Sequence, residues 1–285
     1  MRLCRLCKRL FPGDQAVCPD DATNTVEATL EPLPEALRTR FPEPEPLALG
    51  ATGTLYLVDS PGGLDAQLGP KLVLKVLASE LTQDVGERAR HRRDLRKQLA
   101  LVHPQLPRVI EEGEVEDRVW FTREHVVATS LAVRLHKHGA FEPEAALSMI
   151  VQLAAALDGL HQLGLVHRDL KPGHVLLRPA QNGAQARVSL QLIDATFAAP
   201  LTADNPARRG TPDYAAKEIV EGTAATVRSD LYALGCLSYE LITGVPPFRG
   251  ASAAADGESD TEATLAAQRG AEAKELPGNV PQAVR

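Results

Sequence analysis

Three of the four cysteines stand close together near the amino terminus, in a pattern typical of a metal site. Cys4 and Cys7 form a C-x2-C pair, Cys18 follows after a ten-residue loop, and Cys236 lies alone far downstream. This uneven spread argues against a disulfide framework. Asp21 makes a C-x2-D pair that mirrors the first, and a carboxylate can ligate zinc. We therefore predict a Zn²⁺ site formed by the first three cysteines and Asp21. For the three clustered cysteines, the alternative is that they are free surface thiols. The fourth, Cys236, fits an inert core thiol.

A second group of reactive residues occurs in the middle of the chain. The run His167-Arg168-Asp169-Leu170-Lys171-Pro172 closely resembles the catalytic loop of the bacterial Hanks-type Ser/Thr protein kinase family. Other landmarks of that family occur in the expected order, so the resemblance covers roughly residues 47 to 250. It implies a two-lobed α+β kinase fold. It also implies transfer of the ATP γ-phosphate to hydroxyl groups of a protein substrate, with Mg²⁺ or Mn²⁺.

The resemblance assigns roles to single positions. Asp169 would accept the hydrogen bond of the substrate hydroxyl, and Lys171 would steady the transferred phosphoryl group. Lys75 would contact the α- and β-phosphates, although alone it also fits a surface lysine on an edge strand. Asp194 would hold the metal, although alone it also fits a turn aspartate. The other implied nucleotide contacts are Gly50, Gly53, Glu124, Val126 and Leu176.

Several positions depart from the family pattern. His174 stands five residues after Asp169, where kinases carry an asparagine that holds a metal ion, and Mg²⁺ prefers oxygen to imidazole. Asp94 replaces the helical glutamate that pairs with the strand lysine, and Arg123 stands at the gatekeeper position. The glycine-rich segment is two residues short. A pseudokinase that acts as a binding or allosteric scaffold is therefore the alternative, and a small-molecule phosphotransferase is a weaker third interpretation.

The segment from Asp194 to Glu218 resembles a kinase activation loop. It contains Thr202 and Thr211, and Arg168 beside the catalytic aspartate helps such kinases to bind a loop phosphate. We predict that Thr202 is phosphorylated and that Thr211 is regulatory. The alternative is an unmodified loop.

Two further features concern partners. The amino-terminal cysteine pairs resemble a zinc ribbon of the kind often fused to bacterial regulatory proteins, which implies a structural or partner-docking module. The basic run between Arg88 and Lys97 fits a solvated helix face, or a docking site for an acidic partner.

Local patterns predict the elements that must position these residues. The strand predictions are Leu55–Val58, Lys71–Leu77, Arg118–Val127 and Val188–Ile193. One helix is predicted over Glu87–Val102. A second begins at Glu142-Pro143, with an apolar face of Leu147, Ile150, Val151, Ala154 and Leu157. A third begins at Ser229-Asp230 and ends at Gly244, with an apolar stripe of Leu231, Leu234, Leu237, Leu241 and Ile242.

Changes in composition predict the domain boundaries. We expect a ribbon-like module over 1–24, an extended Pro-rich linker over 25–46, and two kinase lobes over 47–127 and 128–250. Residues 251–285 are poor in large apolar side chains and fit a low-complexity tail or a partial second lobe.

Overall composition limits the classes of protein. The chain has 285 residues, of which 44% are hydrophobic and 24% charged, so it is globular and neither collagen nor coiled coil. No stretch fits a membrane span or a signal peptide, which predicts a cytoplasmic protein. The net charge of -6 argues against nucleic acid as a partner, so we expect a protein substrate or protein partner. The oligomeric state is left open.

Overall fold

The computed structural model describes residues 1–61, 69–178, 188–195, 212–221, 223–248 and 275–276. It contains two compact units, Met1–Val127 and Ala128–Arg285. The predicted boundary between lobes falls after the same residue, and the other domain boundaries stay predictions. Thr202, Thr211 and nearly all of the predicted tail lie outside the described residues.

The first unit begins with a small antiparallel sheet. Strand β1 (Arg2–Cys4) lies between β2 (Leu10–Phe11) and β3 (Thr25–Glu27). Buried side chains of Cys4, Phe11 and Cys18 form its core. Because so short a sheet buries little apolar surface, a bound metal is the usual means of stabilising a module of this size.

A five-stranded antiparallel sheet forms the main part of the first unit. Its strands are β4 (Glu45–Gly50), β5 (Gly53–Asp59), β6 (Lys71–Leu77), β7 (Val109–Val115) and β8 (Arg118–Glu124), in the order β4-β5-β6-β8-β7. The predicted strands at Leu55, Lys71 and Arg118 are therefore confirmed.

Two helices belong to this unit, α1 (Glu35–Arg40) and α2 (Val85–Leu99). Helix α2 packs against β7 and β8. The Asp84 side chain caps its first turn by accepting a hydrogen bond from the Glu87 amide. The predicted helix at Glu87–Val102 is thus confirmed, with both ends shifted toward the amino terminus.

The prediction of an extended linker is wrong for the stretch around α1. Leu33, Leu37 and Phe41 are buried in the same core cluster as Tyr56 and Trp120. The Phe41 ring meets the edge of the Trp120 ring, with centroids 5.8 Å apart. The prolines flank the helix and leave its six residues free of proline. Leu33, Leu37 and Phe41 lie before, within and after this helix. Their spacing of four residues places them on one side, which forms a face that can be buried.

The second unit contains four helices and a short sheet within its described residues. The helices are α3 (Leu131–His138), α4 (Pro143–Gln162), α5 (Lys217–Val220) and α6 (Val227–Thr243). The antiparallel strands are β9 (Thr129–Ser130), β10 (Val175–Leu177) and β11 (Leu190–Leu192), in the order β11-β10-β9. Helix α4 packs against α6 and β11.

The apolar face predicted for α4 is wrong in part. Leu157 is buried, but Leu147 is 36% and Val151 is 68% exposed. The buried side is formed by Ala146, Met149, Leu153, Ala156, Leu157 and Leu160. Since apolar residues surround most of this helix, its period does not single out one face, and small alanines allow close packing.

Helix α6 begins at Val227, two residues before Ser229, and ends as predicted. Thr226 caps it, and the Thr226 amide donates a hydrogen bond to the side-chain oxygen of Ser229. Gly244 ends the helix with φ of 82°, a left-handed conformation that favours glycine. Leu231, predicted to be in the apolar stripe, is 53% exposed.

Among the described residues, we find no helix with both the length and the apolar character needed to cross a membrane.

Candidate functional site

A buried aspartate in the first turn of α6 fixes the backbone of the predicted catalytic loop. Asp230 accepts hydrogen bonds from the amides of His167 and Arg168, at 2.8 and 2.9 Å. The His161 ring lies 2.8 Å from the same carboxylate. Arg168 has φ of 72°, which a non-glycine residue rarely adopts. The two hydrogen bonds from backbone amides to one carboxylate hold this strained turn in place.

His167 connects the loop to the strand end that carries Asp194. Its Nε2 lies 3.0 Å from the carbonyl oxygen of Ile193, and its Nδ1 accepts from the Asp169 amide at 3.3 Å. Because a carbonyl only accepts, Nε2 carries the proton. Burial lowers the pKa of His167. The ring is therefore a neutral structural link.

Asp169 and Lys171 form an ion pair. The ammonium of Lys171 donates to Oδ2 of Asp169 at 2.6 Å. Burial by itself would raise the pKa of Asp169, but chiefly the charge and the hydrogen bond of Lys171 outweigh it, and the pKa is lowered. The group is thus a carboxylate near neutral pH. It can accept a hydrogen bond and lies beside a cation.

His174 lies between the two aspartates. Its Nδ1 is 2.8 Å from the backbone carbonyl oxygen of Asp169, and its Nε2 is 3.9 Å from Oδ2 of Asp194. Burial and the charge of Lys171 lower the pKa of His174 to about 4. Since the carbonyl can only accept, the proton is on Nδ1 and Nε2 keeps its lone pair. Nitrogen and carboxylate oxygen could therefore bind one cation together.

The structure brings four of the predicted residues into one cluster: Asp169, Lys171, His174 and Asp194. Asp194 follows β11 and has φ of 63°, a strained conformation of the kind that concentrates at functional sites. Leu176 lies nearby in sequence on β10, paired with Ser130 and Gln191.

Gly50 and Gly53 close the turn between β4 and β5, in the first unit. They face each other across a two-residue turn. Gly53 has φ of 142°, and a Cβ there would lie 2.1 Å from the carbonyl oxygen of Val76. The fold itself therefore requires this glycine. At Gly50 the nearest such atom is 3.9 Å away, so its backbone is open to a ligand.

Lys75 is completely buried in the middle of the five-stranded sheet. It lies on β6 between Leu55 of β5 and Phe121 of β8. The interpretation as a surface lysine on an edge strand is therefore wrong. Asp94 on α2 is 5% exposed. Pairing of these two groups stays a prediction.

Two of the residues predicted to contact the nucleotide, Glu124 and Val126, lie at the end of β8 and just after it. The Glu124 carboxylate accepts a hydrogen bond from the Arg108 amide at 3.0 Å. Arg123 is buried, and its guanidinium donates to the carbonyl of Glu124 at 3.0 Å. Val126 is also buried. The Arg123 side chain therefore contacts the backbone of the next residue, at the end of its own strand.

Acidic residues of β7 neutralise much of the basic run on α2. Arg92 and Arg96 donate to Glu112 at 2.7 and 2.8 Å, and Arg88 lies 3.1 Å from Glu114. These contacts favour a structural role over a docking site for an acidic partner.

The predicted metal ligands form a compact cluster in the first unit. Their ligand atoms all lie within 4.8 Å of one another. The sulfur atoms of Cys7 and Cys18 are 3.7 Å apart, and Oδ2 of Asp21 lies 3.1 Å from the sulfur of Cys4. Tetrahedral zinc with Zn–S bonds of about 2.3 Å places two sulfurs about 3.8 Å apart. The donor set and its spacing therefore fit Zn²⁺.

Thr23 orients the carboxylate of Asp21. Its amide and hydroxyl both donate to Oδ1, at 3.0 and 2.6 Å, which leaves Oδ2 facing the cysteines. Burial by itself would raise the pKa of Asp21, but the hydrogen bonds from Thr23 and Cys4 lower it. Burial raises the pKa of Cys7, and raises that of Cys18 to about 11. Thiolates at this site therefore need a nearby cation.

Comparison with known proteins identifies the family. The model of the protein kinase domain matches residues 50–282. The chain belongs to the protein kinase domain family. The serine/threonine-protein kinase pkn2 of Myxococcus xanthus is 35% identical over 225 residues, which are 78% of this chain and 26% of that protein. The serine/threonine-protein kinase PkaA of Streptomyces coelicolor is 36% identical over 224 residues, which are 73% of this chain and 40% of that protein.

A solved kinase-domain structure is similar in fold to this chain. The PknI kinase domain of Mycobacterium tuberculosis has a TM-score of 0.58 and 26% identity, covering 73% of this chain and 77% of that one. The predicted α+β protein-kinase fold is confirmed, and a small cysteine cluster stands where the zinc ribbon is predicted. The kinase domain spans less than half of the length of the curated relatives described above.

Some residues of the kinase domain gave a weak signal in the sequence. Tyr214 donates to Glu240 at 2.5 Å, and Ser229 donates to Glu218 at 2.5 Å. The buried Glu240 lies on α6, where a charged residue among apolar neighbours is the only sign of a partner. The ligand-orienting Thr23 has no sequence signature beyond its place two residues after Asp21.

Proposed function

We propose that this kinase domain transfers the γ-phosphate of ATP to Ser or Thr hydroxyl groups of a protein substrate. The observation that carries this proposal is the cluster formed by Asp169 and Lys171, on a loop held by Asp230, together with Asp194, which follows β11. In the proposal, Asp169 accepts the hydrogen bond of the hydroxyl and orients its oxygen. Lys171 offsets the negative charge of the transferred group.

The remaining groups bind the nucleotide and its metal. Lys75 would hold phosphate oxygens, and the open backbone at Gly50 would approach them. Asp194 and Nε2 of His174 would hold the divalent cation, which neutralises charge on the phosphates when bound. The carboxylate fits Mg²⁺ or Mn²⁺, whereas the imidazole fits Mg²⁺ poorly.

A scaffold that binds without catalysing is the second candidate. The nitrogen ligand at His174 and the buried guanidinium of Arg123 favour it, since both alter groups that serve the nucleotide in active kinases. One substitution separates the two candidates.

Asp169→Asn removes the carboxylate and leaves the volume of the side chain unchanged. We expect autophosphorylation of the chain to fall about 10² to 10⁴-fold. It is measured as the phosphate added to the intact mass of the chain after incubation with ATP and either Mg²⁺ or Mn²⁺. The matched control is Asp158→Asn, an exposed aspartate on α4, which should retain full activity. Equal incorporation by the Asp169 variant, or none by the unmodified chain with either metal, would favour the scaffold.

We also propose that Cys4, Cys7, Cys18 and Asp21 bind one Zn²⁺. Elemental analysis of the purified chain should give one zinc per molecule. Cys18→Ser should lose it, whereas Cys236→Ala should keep it because Cys236 lies in the other unit. Absence of zinc from both the purified and the zinc-supplied chain would contradict the assignment.

Regulation by phosphorylation completes the proposal. Thr202 is the proposed site, Thr211 is a second regulatory position, and the Arg168 guanidinium would bind the phosphate. If a phosphopeptide map of the active protein showed no phosphate on Thr202, this part of the proposal would be contradicted.

A further inference from the structure

The cysteine ribbon is hydrogen-bonded to the strand that leads into the glycine turn. The carbonyl oxygen of Lys8 accepts a hydrogen bond from the amide of Leu49 at 3.0 Å, and Arg9 forms an antiparallel bridge with Ala48. Both ribbon residues follow Cys7 directly. Strand β4 is the edge of its sheet, so its outer backbone groups need partners that the sheet does not supply.

The other side of this contact belongs to the cysteine cluster. The Lys8 amide donates to the carbonyl of Cys4, and the Cys4 amide donates to the carbonyl of Arg9, both at 3.0 Å. The Cys7 amide donates to the sulfur of Cys4 at 3.3 Å. Lys8 itself has φ of 62°, a conformation that needs enforcement by its surroundings. The turn that presents the Lys8 carbonyl is therefore built around the sulfur of Cys4 and the backbone of Cys7.

The path from the cluster to the glycine turn is short. Cys7 is covalently joined to Lys8, one hydrogen bond joins Lys8 to Leu49, and Leu49 precedes Gly50. All of these residues belong to the same compact unit. A change in the Cys4–Cys7 turn therefore reaches the end of β4 through one hydrogen bond.

We propose that metal binding at the cysteine cluster positions the Gly50–Gly53 turn and thereby strengthens nucleotide binding. A bound cation fixes the sulfurs of Cys4 and Cys7, and so the direction of the Lys8 carbonyl. That carbonyl and the Arg9 bridge then hold the edge strand in the register that places Gly50. Lys8 and Arg9 are positioning residues, since they act through β4. The inference rests on the proposed zinc site and on nucleotide binding at this turn.

The size of the effect follows from the contact. One backbone hydrogen bond on an exposed sheet edge makes a modest net contribution, so metal removal should weaken nucleotide binding about threefold to tenfold. The rest of the sheet should keep its structure. Its strands pair with one another, and the opposite edge, β7, pairs with β8.

The test compares zinc-loaded chain with chain stripped by a chelator under reducing conditions. One measurement is the affinity for a non-hydrolysable ATP analogue, by calorimetry. The other is amide hydrogen exchange of residues 45–50, with residues 109–115 on the opposite edge as an internal control. We expect weaker binding and faster exchange at 45–50 without zinc, unchanged exchange at 109–115, and recovery of both signals when zinc is restored.

Two variants extend the test. Cys18→Ser should reproduce the stripped chain, and Cys236→Ala should resemble the loaded one. Equal affinity and equal exchange at 45–50 with and without zinc would overturn the inference. Equally faster exchange at both edges would also overturn it, because the metal would then stabilise the whole unit. Failure of phosphate transfer with normal zinc-dependent exchange would count against the proposed function alone, whereas a chain that binds no zinc would remove the inference.

Discussion

At the scale of single residues, His174 distinguishes this site from the family pattern. Its Nδ1 is occupied by the Asp169 carbonyl, so Nε2 is the atom available to a cation shared with Asp194. An imidazole nitrogen in place of an amide oxygen changes which ions bind well. Transition-metal ions accept nitrogen more readily than Mg²⁺, which prefers oxygen.

His174→Asn should therefore change the metal preference of phosphate transfer. We expect the ratio of activity with Mg²⁺ to activity with Mn²⁺ to rise about threefold to tenfold, because oxygen replaces nitrogen in the site. Initial rates at saturating ATP with each metal measure this ratio. His136→Asn, at an exposed histidine of α3, is the control. An unchanged ratio in the His174 variant would show that this side chain does not bind the metal.

At the scale of elements, salt bridges hold helix α2 to strand β7. Glu112 accepts from both Arg92 and Arg96. Burial by itself would raise the pKa of Glu112, but the two guanidinium groups lower it below its ordinary value of 4.5. A lowered folded-state pKa means that ionised Glu112 stabilises the fold above about pH 4.5. That contribution is lost as the pH falls through the folded-state pKa.

Glu112→Gln should consequently destabilise the chain in a pH-dependent way. We expect a loss of about 1 kcal/mol in the free energy of unfolding at pH 7, since a neutral amide replaces a charge paired with two arginines. The difference from the unmodified chain should shrink on acidification below pH 4.5. Urea unfolding across this pH range measures it. Glu116→Gln, at an exposed glutamate, should show no such gap, and a constant gap for Glu112→Gln would contradict the electrostatic explanation.

At the scale of the whole molecule, the balance of charge bears on whether the cysteine ribbon binds nucleic acid. Residues 1–27 contain four basic and four acidic side chains, and the whole chain has a net charge of -6. Binding to a phosphate backbone depends on an excess of positive charge. A ribbon with balanced charges lacks that excess, which favours the proposed role of supporting the kinase domain.

We therefore predict no measurable binding of duplex or single-stranded DNA at physiological salt. Fluorescence anisotropy with labelled oligonucleotides tests this, with zinc-loaded protein at concentrations up to about 10 μM, where nonspecific binders already respond. Saturable binding that weakens steeply with salt would show a basic surface formed by folding.

Motifs in the sequence are sufficient to identify most of the candidate site. The run from His167 to Lys171 identified the catalytic loop, and the cysteine spacing identified the metal cluster with Asp21 as its fourth member. The structure brings the members of each motif together, although catalysis by the loop and metal binding by the cluster stay proposals. Motifs of this kind can be found in a sequence because their chemistry requires fixed residue types at fixed separations. Strand limits such as Lys71–Leu77 were also recovered, since buried strands read as apolar runs.

Tertiary structure decided what depends on contacts between distant segments. Helix α1 packs into a core formed by strands far along the chain, which local proline content concealed. The buried face of α4 was chosen by its neighbours, because its own sequence is apolar on most sides. The bond from Leu49 to Lys8 and the tautomer of His174 depend on backbone carbonyls, which have no residue identity. The sequence by itself therefore determined which reactive residue types this protein carries and how they are spaced, and folding determined which backbone groups support them.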